Sequence, residues 1–280
     1  MLTIMRITFL ECIRKKVFVL SVLLMVLYLA LCGFGLHSAY SSNAANMMNG
    51  QLDTLMASLL TPVFTLSSML IIFLVVLSSA GIISSEIENG IIQPILTRPI
   101  SRYTVILGKF FGISLMIIIF SFVMFYSILL MNTLFSGVPL SKFGYGNIMG
   151  ASLLYVLQPL ILLSISLRFG INLATMANGV IMVVFYIISS MGAMIERIGV
   201  MLDSYAMVNS GIISSLVCPM DAVNRKFGSL LFAHLNNQFG ILSNMGGAIS
   251  EPSAIMIVYA VLFIVFMVFW ACRSFAKRSI

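Results

Sequence analysis

Few residues in this 280-residue chain are spaced to make or break bonds. Cys12, Cys32, Cys218 and Cys272 show no Cys-x-x-Cys spacing, and His37 and His234 are its two histidines. That pattern excludes a zinc or iron–sulfur centre and a pair of bis-His haems, so no metal or cofactor is expected in this chain. The His-Glu-x-x-His pair of zinc proteases is absent, and so is the Gly-x-x-x-x-Gly-Lys-Ser/Thr loop that wraps nucleotide phosphates. The chain therefore offers no catalytic residue and is not itself expected to be an enzyme.

The chemistry it does offer is that of a handle. Residues 86 to 109 form one polar, charge-dense insert between long apolar runs in the first half of the chain. Glu86 and Glu88 stand at its start, Gly90 permits a sharp change of direction, and Pro94 and Pro99 prevent one continuous helix. Between them Ile91, Ile92, Ile95 and Leu96 make a short apolar patch flanked by Arg98 and Arg102. A short rigid element with apolar anchors and a charged rim suits docking into a groove on another protein. An ordinary basic loop, retained for membrane topology, accounts for the same residues.

The elements that position this handle belong to a membrane protein. A chain 61% hydrophobic and 8% charged cannot bury its apolar surface in one water-soluble core. In hydrocarbon every backbone N–H and C=O must find an internal partner, which leaves helix bundles and closed barrels. Long apolar runs without alternation select helices. Six spans are expected, at about 17–36, 55–84, 105–135, 148–167, 174–195 and 254–272, with Pro62 and Pro159 as kinks. Residues 1–16 carry Leu2, Met5, Phe9, Cys12 and Ile13 on one helical face and Thr3, Glu11, Arg14 and Lys15 on the other. That division predicts an amphipathic interfacial helix. A signal peptide competes for this region, but the apolar run exceeds the usual ~7–15-residue core. Residues 37 to about 51 read as a short outer loop. The irregular segment 198–252 holds two pieces, 205–218 and 227–242, suited to interfacial or re-entrant helices. The expected fold is all-α, one membrane domain over 1–280.

Basic residues test the topology. With both termini cytoplasmic, the inner segments hold eleven: Arg6, Arg14, Lys15, Lys16, Arg98, Arg102, Lys109, Arg168, Arg273, Lys277 and Arg278. The outer segments hold four: Lys142, Arg197, Arg225 and Lys226. Such a bias places the handle in the cytoplasm of a multi-pass protein of the plasma or inner membrane, and it explains the formal charge of +7 without nucleic acid. A seventh span at 198–218 would force the basic tail outside. Cys32 and Cys218 then both fall toward the outer side, where a disulfide or two unpaired buried thiols fit.

The pattern Glu86-x-Glu88-x-Gly90, then Leu96-Thr97-Arg98-Pro99-Ile100-Ser101-Arg102, then Gly108-Lys109 resembles the signature of ABC-2 type transporter permeases. The six-span layout, the amphipathic lead-in and the irregular segment before span six are similar to that family too, so the resemblance covers nearly the whole chain. It implies a cytoplasmic coupling helix within 86–104 that seats on a separate ABC ATPase subunit holding ATP and magnesium, with Glu86, Glu88, Gly90, Pro99 and Arg102 in that role. Ile91 stands where the family often has Thr, and Pro94 interrupts the usual leucine-rich helix, which implies a shorter or bent element. The run Pro219-Met220-Asp221-Ala222-Val223-Asn224-Arg225 is similar to one in the permease of nitrous-oxide reductase maturation clusters. On this reading the chain is the permease subunit of an exporter, a homodimer or a heterodimer with a related permease, in contact with membrane lipid. The alternative is a membrane anchor or assembly factor that recruits a cytoplasmic protein without transport.

Overall fold

A computed structural model describes residues 2–43, 49–82, 84–85, 101–202, 204–232 and 253–277. Their regular structure is helical throughout: α1 (Leu2–Arg14), α2 (Lys16–Asn43), α3 (Asn49–Ser79), α4 (Arg102–Ser136), a 3-10 turn (Leu140–Phe143), α5 (Tyr145–Gly170), α6 (Thr175–Met201), α7 (Tyr205–Val217), α8 (Met220–Leu231) and α9 (Ala254–Lys277). Six of them, α2 to α6 and α9, are long and apolar enough to cross a membrane. With no water to bond the backbone, each span closes its own ladder, and this is why uninterrupted apolar sequence becomes helix here.

The spans run antiparallel, so their ends gather into two tiers. The proximal end holds α1, the end of α3, the start of α4, the end of α5, the start of α6 and the end of α9. The distal end holds the α2–α3 and α4–α5 connections and the α7–α8 pair. Helix α4 is about 52 Å long at ~1.5 Å per residue, well beyond a ~30 Å hydrocarbon core. Ser101 caps its start by accepting from the Thr104 N–H. Its end closes on Gly137 at φ 69°, a left-handed position where a side chain would be strained, with the Gly137 N–H donating to the Thr133 carbonyl.

Helix α5 is the most enclosed span, packed against α3, α4, α6, α8 and α9. At its distal half an aromatic cluster unites four helices: Phe64 of α3, Phe125 of α4, Tyr155 of α5 and Phe227 of α8. The Phe227 ring centroid lies 5.3 Å from that of Phe64 and 5.5 Å from that of Tyr155. The Tyr155 hydroxyl is buried and shares a 2.7 Å hydrogen bond with Ser67, so its one polar atom is satisfied. Farther out, Tyr40 donates to Asn132 Oδ1 at 2.8 Å. This contact ties the end of α2 to α4 and accounts for α2 continuing to Asn43, through residues the sequence suggests as loop.

Helix α1 lies against α4. Thr8 and Cys12 are buried in this contact, with Met5 beside them, while Ile7 and Leu10 stay exposed on the side a membrane surface would cover. Gly112 makes the close approach possible, because a Cβ there would stand 2.8 Å from the Met5 carbonyl and 2.9 Å from Thr8 Cβ. Burial pushes the Cys12 thiol up to about 11, outweighing the opposing pull of Lys15. At pH 8 its thiolate fraction is then about one in a thousand, so alkylation is expected to run ~100-fold slower than for an ordinary thiol. A Gly112→Val substitution should lift α1 and restore ordinary alkylation of Cys12, measured by mass spectrometry against time. Unchanged protection in that variant would contradict the packing. All four cysteines are free thiols, Cys32 and Cys218 included.

Helices α6 and α7 form a tight hairpin. A Cβ on Gly211 would lie 2.6 Å from Glu196 Cβ and 2.9 Å from the Gly192 carbonyl, and one on Gly192 would strike the Ser214 side chain. Helix α7 therefore runs back along α6 until Cys218 comes level with Ser189, whose hydroxyl donates to the Cys218 carbonyl at 3.3 Å and accepts from the Asp221 N–H at 3.1 Å. Ser189 lies midway along α6, so the chain re-enters the bundle by about half a span before α8 turns away at 99°. The second of the two expected short helices starts at Met220 rather than 227, because Met220, Val223, Phe227 and Leu231 form the apolar stripe that seats α8.

Candidate functional site

The handle joins α3 to α4, and residues 86–100, with Glu86, Glu88, Gly90, Pro94 and Pro99, lie outside the described residues. What the structure does show are its two roots. After Ser79, α3 ends in a turn at 80–82. The carbonyls left at a helix end need partners, and here side chains of two other helices supply them. Asn178, in the first turn of α6, donates to the Ala80 carbonyl at 3.1 Å and to Ser166 Oγ of α5 at 3.2 Å. Lys109 of α4 donates to the Ile82 carbonyl at 3.1 Å.

Lys109 is 5% exposed. A lysine is almost never that buried unless its ammonium is held, and the helix-end carbonyl carries partial negative charge that suits it. Gly108 beside it is buried too. Asn178 is fully buried. Thus the point where the chain leaves the bundle for the handle is fixed to α4, α5 and α6 at once.

The other root is Ser101–Arg102. Arg102 Nη1 donates to the Ala276 carbonyl, 3.3 Å away in the last turn of α9. Of the five expected site residues, Arg102 is the one within the described structure, and it links the handle's far end to the C-terminal span. Sequence reading sets Lys109 at the end of the handle and in the family pattern, and Asn178 among scattered polar residues of the spans, but gives neither a part in holding the turn after α3. The available signal is their position: each is a strong donor within two turns of a helix start at the handle's own level.

At the opposite end stands a second polar group. Arg225 Nη1 donates to Glu196 Oε2 at 2.9 Å, and its Nε lies 2.9 Å from Asp221 Oδ2, a charge contact rather than an aligned hydrogen bond. All three side chains are largely buried. They join α6 to α8 and account for α6 continuing past Glu196. Among the described residues no three His, Cys, Asp or Glu side chains come together in a metal-binding arrangement.

Six helices long and apolar enough to cross a membrane, with the ionic contacts of the described spans near their ends, make a polytopic membrane bundle. The family profile described as ABC-2 family transporter protein matches residues 2–279. The chain belongs to the ABC-2 transporter family. The match takes in α1, all six candidate spans and the α7–α8 pair. No curated protein matches this ABC-2 chain. Family members of this kind work in general with an ABC ATPase subunit, and the membrane subunit is generally not the catalytic one.

Proposed function

We propose that this ABC-2 permease is the membrane-spanning subunit of an ATP-driven exporter, paired with an identical or related permease and moved by a separate ATP-binding subunit that holds ATP and its magnesium. Both termini and the handle face the cytoplasm. Glu86, Glu88, Gly90, Pro99 and Arg102 form the docking element, and the apolar residues between them enter a groove on the ATPase.

The observation that carries this reading is the way the handle's roots are held. The start of the handle follows a turn bonded to α4 and α6, and its end begins at an arginine bonded to α9. A loop kept only for topology has no need of such ties. A lever does, because displacement at the handle must reach several spans as a rigid-body motion rather than dissipate in one loose connection. The clustering of Arg102, Lys109 and Arg168 with the basic end of α9 at the proximal tier supports the cytoplasmic assignment of that end.

The test is reconstitution of the permease with its ATP-binding subunit in vesicles. Glu88→Ala and Gly90→Val are each expected to cut the permease-dependent part of ATP turnover at least tenfold while membrane insertion and monomer stability stay unchanged. Normal turnover and transport by both variants would remove the handle from the coupling path. A partner that binds the chain but hydrolyses ATP at the same rate with or without it would favour the membrane-anchor reading.

A further inference from the structure

We infer that the proximal end of α9, with Arg168 of α5, forms a binding site for the phosphate headgroup of an anionic phospholipid. The site rests on its own observations and holds for either orientation in the membrane. The Arg168 guanidinium lies 4.3 Å from the centroid of the Trp270 ring. Stacking of this kind uses the face of the guanidinium and leaves its in-plane N–H fork available for a planar or tetrahedral oxyanion. The Arg168 Nε is buried and has no hydrogen-bond partner among the described residues.

Trp270, Arg273 and Lys277 follow at i, i+3 and i+7, one stripe of α9. Trp270 is 45% exposed, and Arg273 and Lys277 are exposed beyond it. Neither they nor Arg168 makes an ion pair among the described residues. Earlier on the same side of α9, Leu262, Val265, Phe266 and Phe269 are all exposed, and Phe266 packs on Trp270 with centroids 5.8 Å apart. Read outward from mid-span, the stripe passes from aliphatic and phenyl groups to an indole, then to guanidinium and ammonium groups.

That order is the order of a phospholipid. Acyl chains meet Leu262, Val265, Phe266 and Phe269. The glycerol region meets the indole, whose amphipathic ring favours the headgroup level. The phosphate meets the fork of Arg168, with Arg273 and Lys277 supplying the charge excess that selects an anionic over a zwitterionic lipid. Basic pockets between helices at the membrane surface bind anionic headgroups for this reason. A guanidinium held against an indole at the bundle edge, with no ion pair among the described residues, is an incomplete constellation that a phosphate oxygen completes.

Trp270 is the sole tryptophan of the chain, so tryptophan-selective fluorescence reads this site alone. The full chain is reconstituted in phosphatidylcholine nanodiscs, and either brominated phosphatidylglycerol or brominated phosphatidylcholine is added in steps. The expected result is half-maximal quenching at a mole fraction about tenfold lower for the brominated phosphatidylglycerol. The Arg168→Gln/Arg273→Gln/Lys277→Gln variant should lose that preference. Arg273→Gln alone, which alters an exposed side chain and leaves the core intact, should weaken it severalfold. Equal quenching by the two lipids in the wild-type protein, or an undiminished preference in the triple variant, overturns the site. If tens of millimolar inorganic phosphate or glycerophosphate abolishes the preference, the occupant is a soluble anion and the lipid assignment falls.

Discussion

Replacing Arg225 with alanine is expected to destabilise the protein by about 3–5 kcal/mol, the largest effect of any single polar substitution outside the handle's roots. The reason is what remains behind. Glu196 and Asp221 are each about nine-tenths buried as side chains, and with the guanidinium gone both carboxylates lose the charge they share. The α6–α8 contact would open, and Phe227, carried by α8 nearly two turns beyond Asp221, would leave the cluster of Phe64, Phe125 and Tyr155. Thermal unfolding in detergent and the yield of folded protein both report this loss. Adding Glu196→Gln and Asp221→Asn to Arg225→Ala should recover most of the stability, since it removes the uncompensated charge rather than restoring the pair. If the triple variant is as unstable as the single one, geometry rather than charge holds α8 in place. On this account the Pro219-to-Arg225 run is a structural clamp: its proline precedes the first turn of α8, and its aspartate and arginine, four residues apart, close on a glutamate of another helix.

The six spans were legible because nothing local competes with them. An apolar run of twenty or more residues has one stable form in a bilayer. The ends of the helices were less legible, and the cause is the same at each. Glu196 reads as a stop because a lone carboxylate is costly at membrane depth, yet α6 passes through it since Arg225, 29 residues later, supplies the counter-charge. Residues 37–43 read as a polar loop, yet Tyr40 finds Asn132 across 92 positions. Helix α8 starts seven residues earlier than expected: Asp221, Asn224, Arg225 and Lys226 make 220–226 read as a polar stretch, yet Met220 and Val223 extend the apolar stripe of Phe227 and Leu231 by helical spacing. At the candidate site the residues of the handle stood out as a gap in hydrophobicity. Its mechanical mounting did not, for Arg102 and Ala276 are 174 positions apart and a backbone carbonyl has no signature in sequence. Lys109 stood in the sequence as the end of the handle, and only its burial shows it as part of the mounting.

Lys109 therefore carries the second large expectation. Lys109→Met keeps the length and apolar stem of the side chain but removes the ammonium that meets the Ile82 carbonyl. Loss of a charge-assisted bond in a buried setting costs about 1.5–3 kcal/mol, and the freed carbonyl stays away from water. The local consequence is more telling than the global one. Backbone hydrogen exchange should quicken together over 79–85 and 101–109, the two roots, while the interior of α5 keeps its protection. Lys109→Gln, which retains a donor but falls short of the carbonyl, should resemble the methionine variant rather than the wild type. The side chain is 5% exposed, so an ATP-binding partner cannot grip it directly. Any fall in permease-dependent ATP turnover in Lys109→Met, with the partner still bound, would thus arise from a loosened mounting and not from a damaged docking surface. Turnover at the wild-type level despite quickened exchange at both roots would show that the handle drives the spans by another route, and would leave the Arg102 link to α9 as the remaining path for the motion.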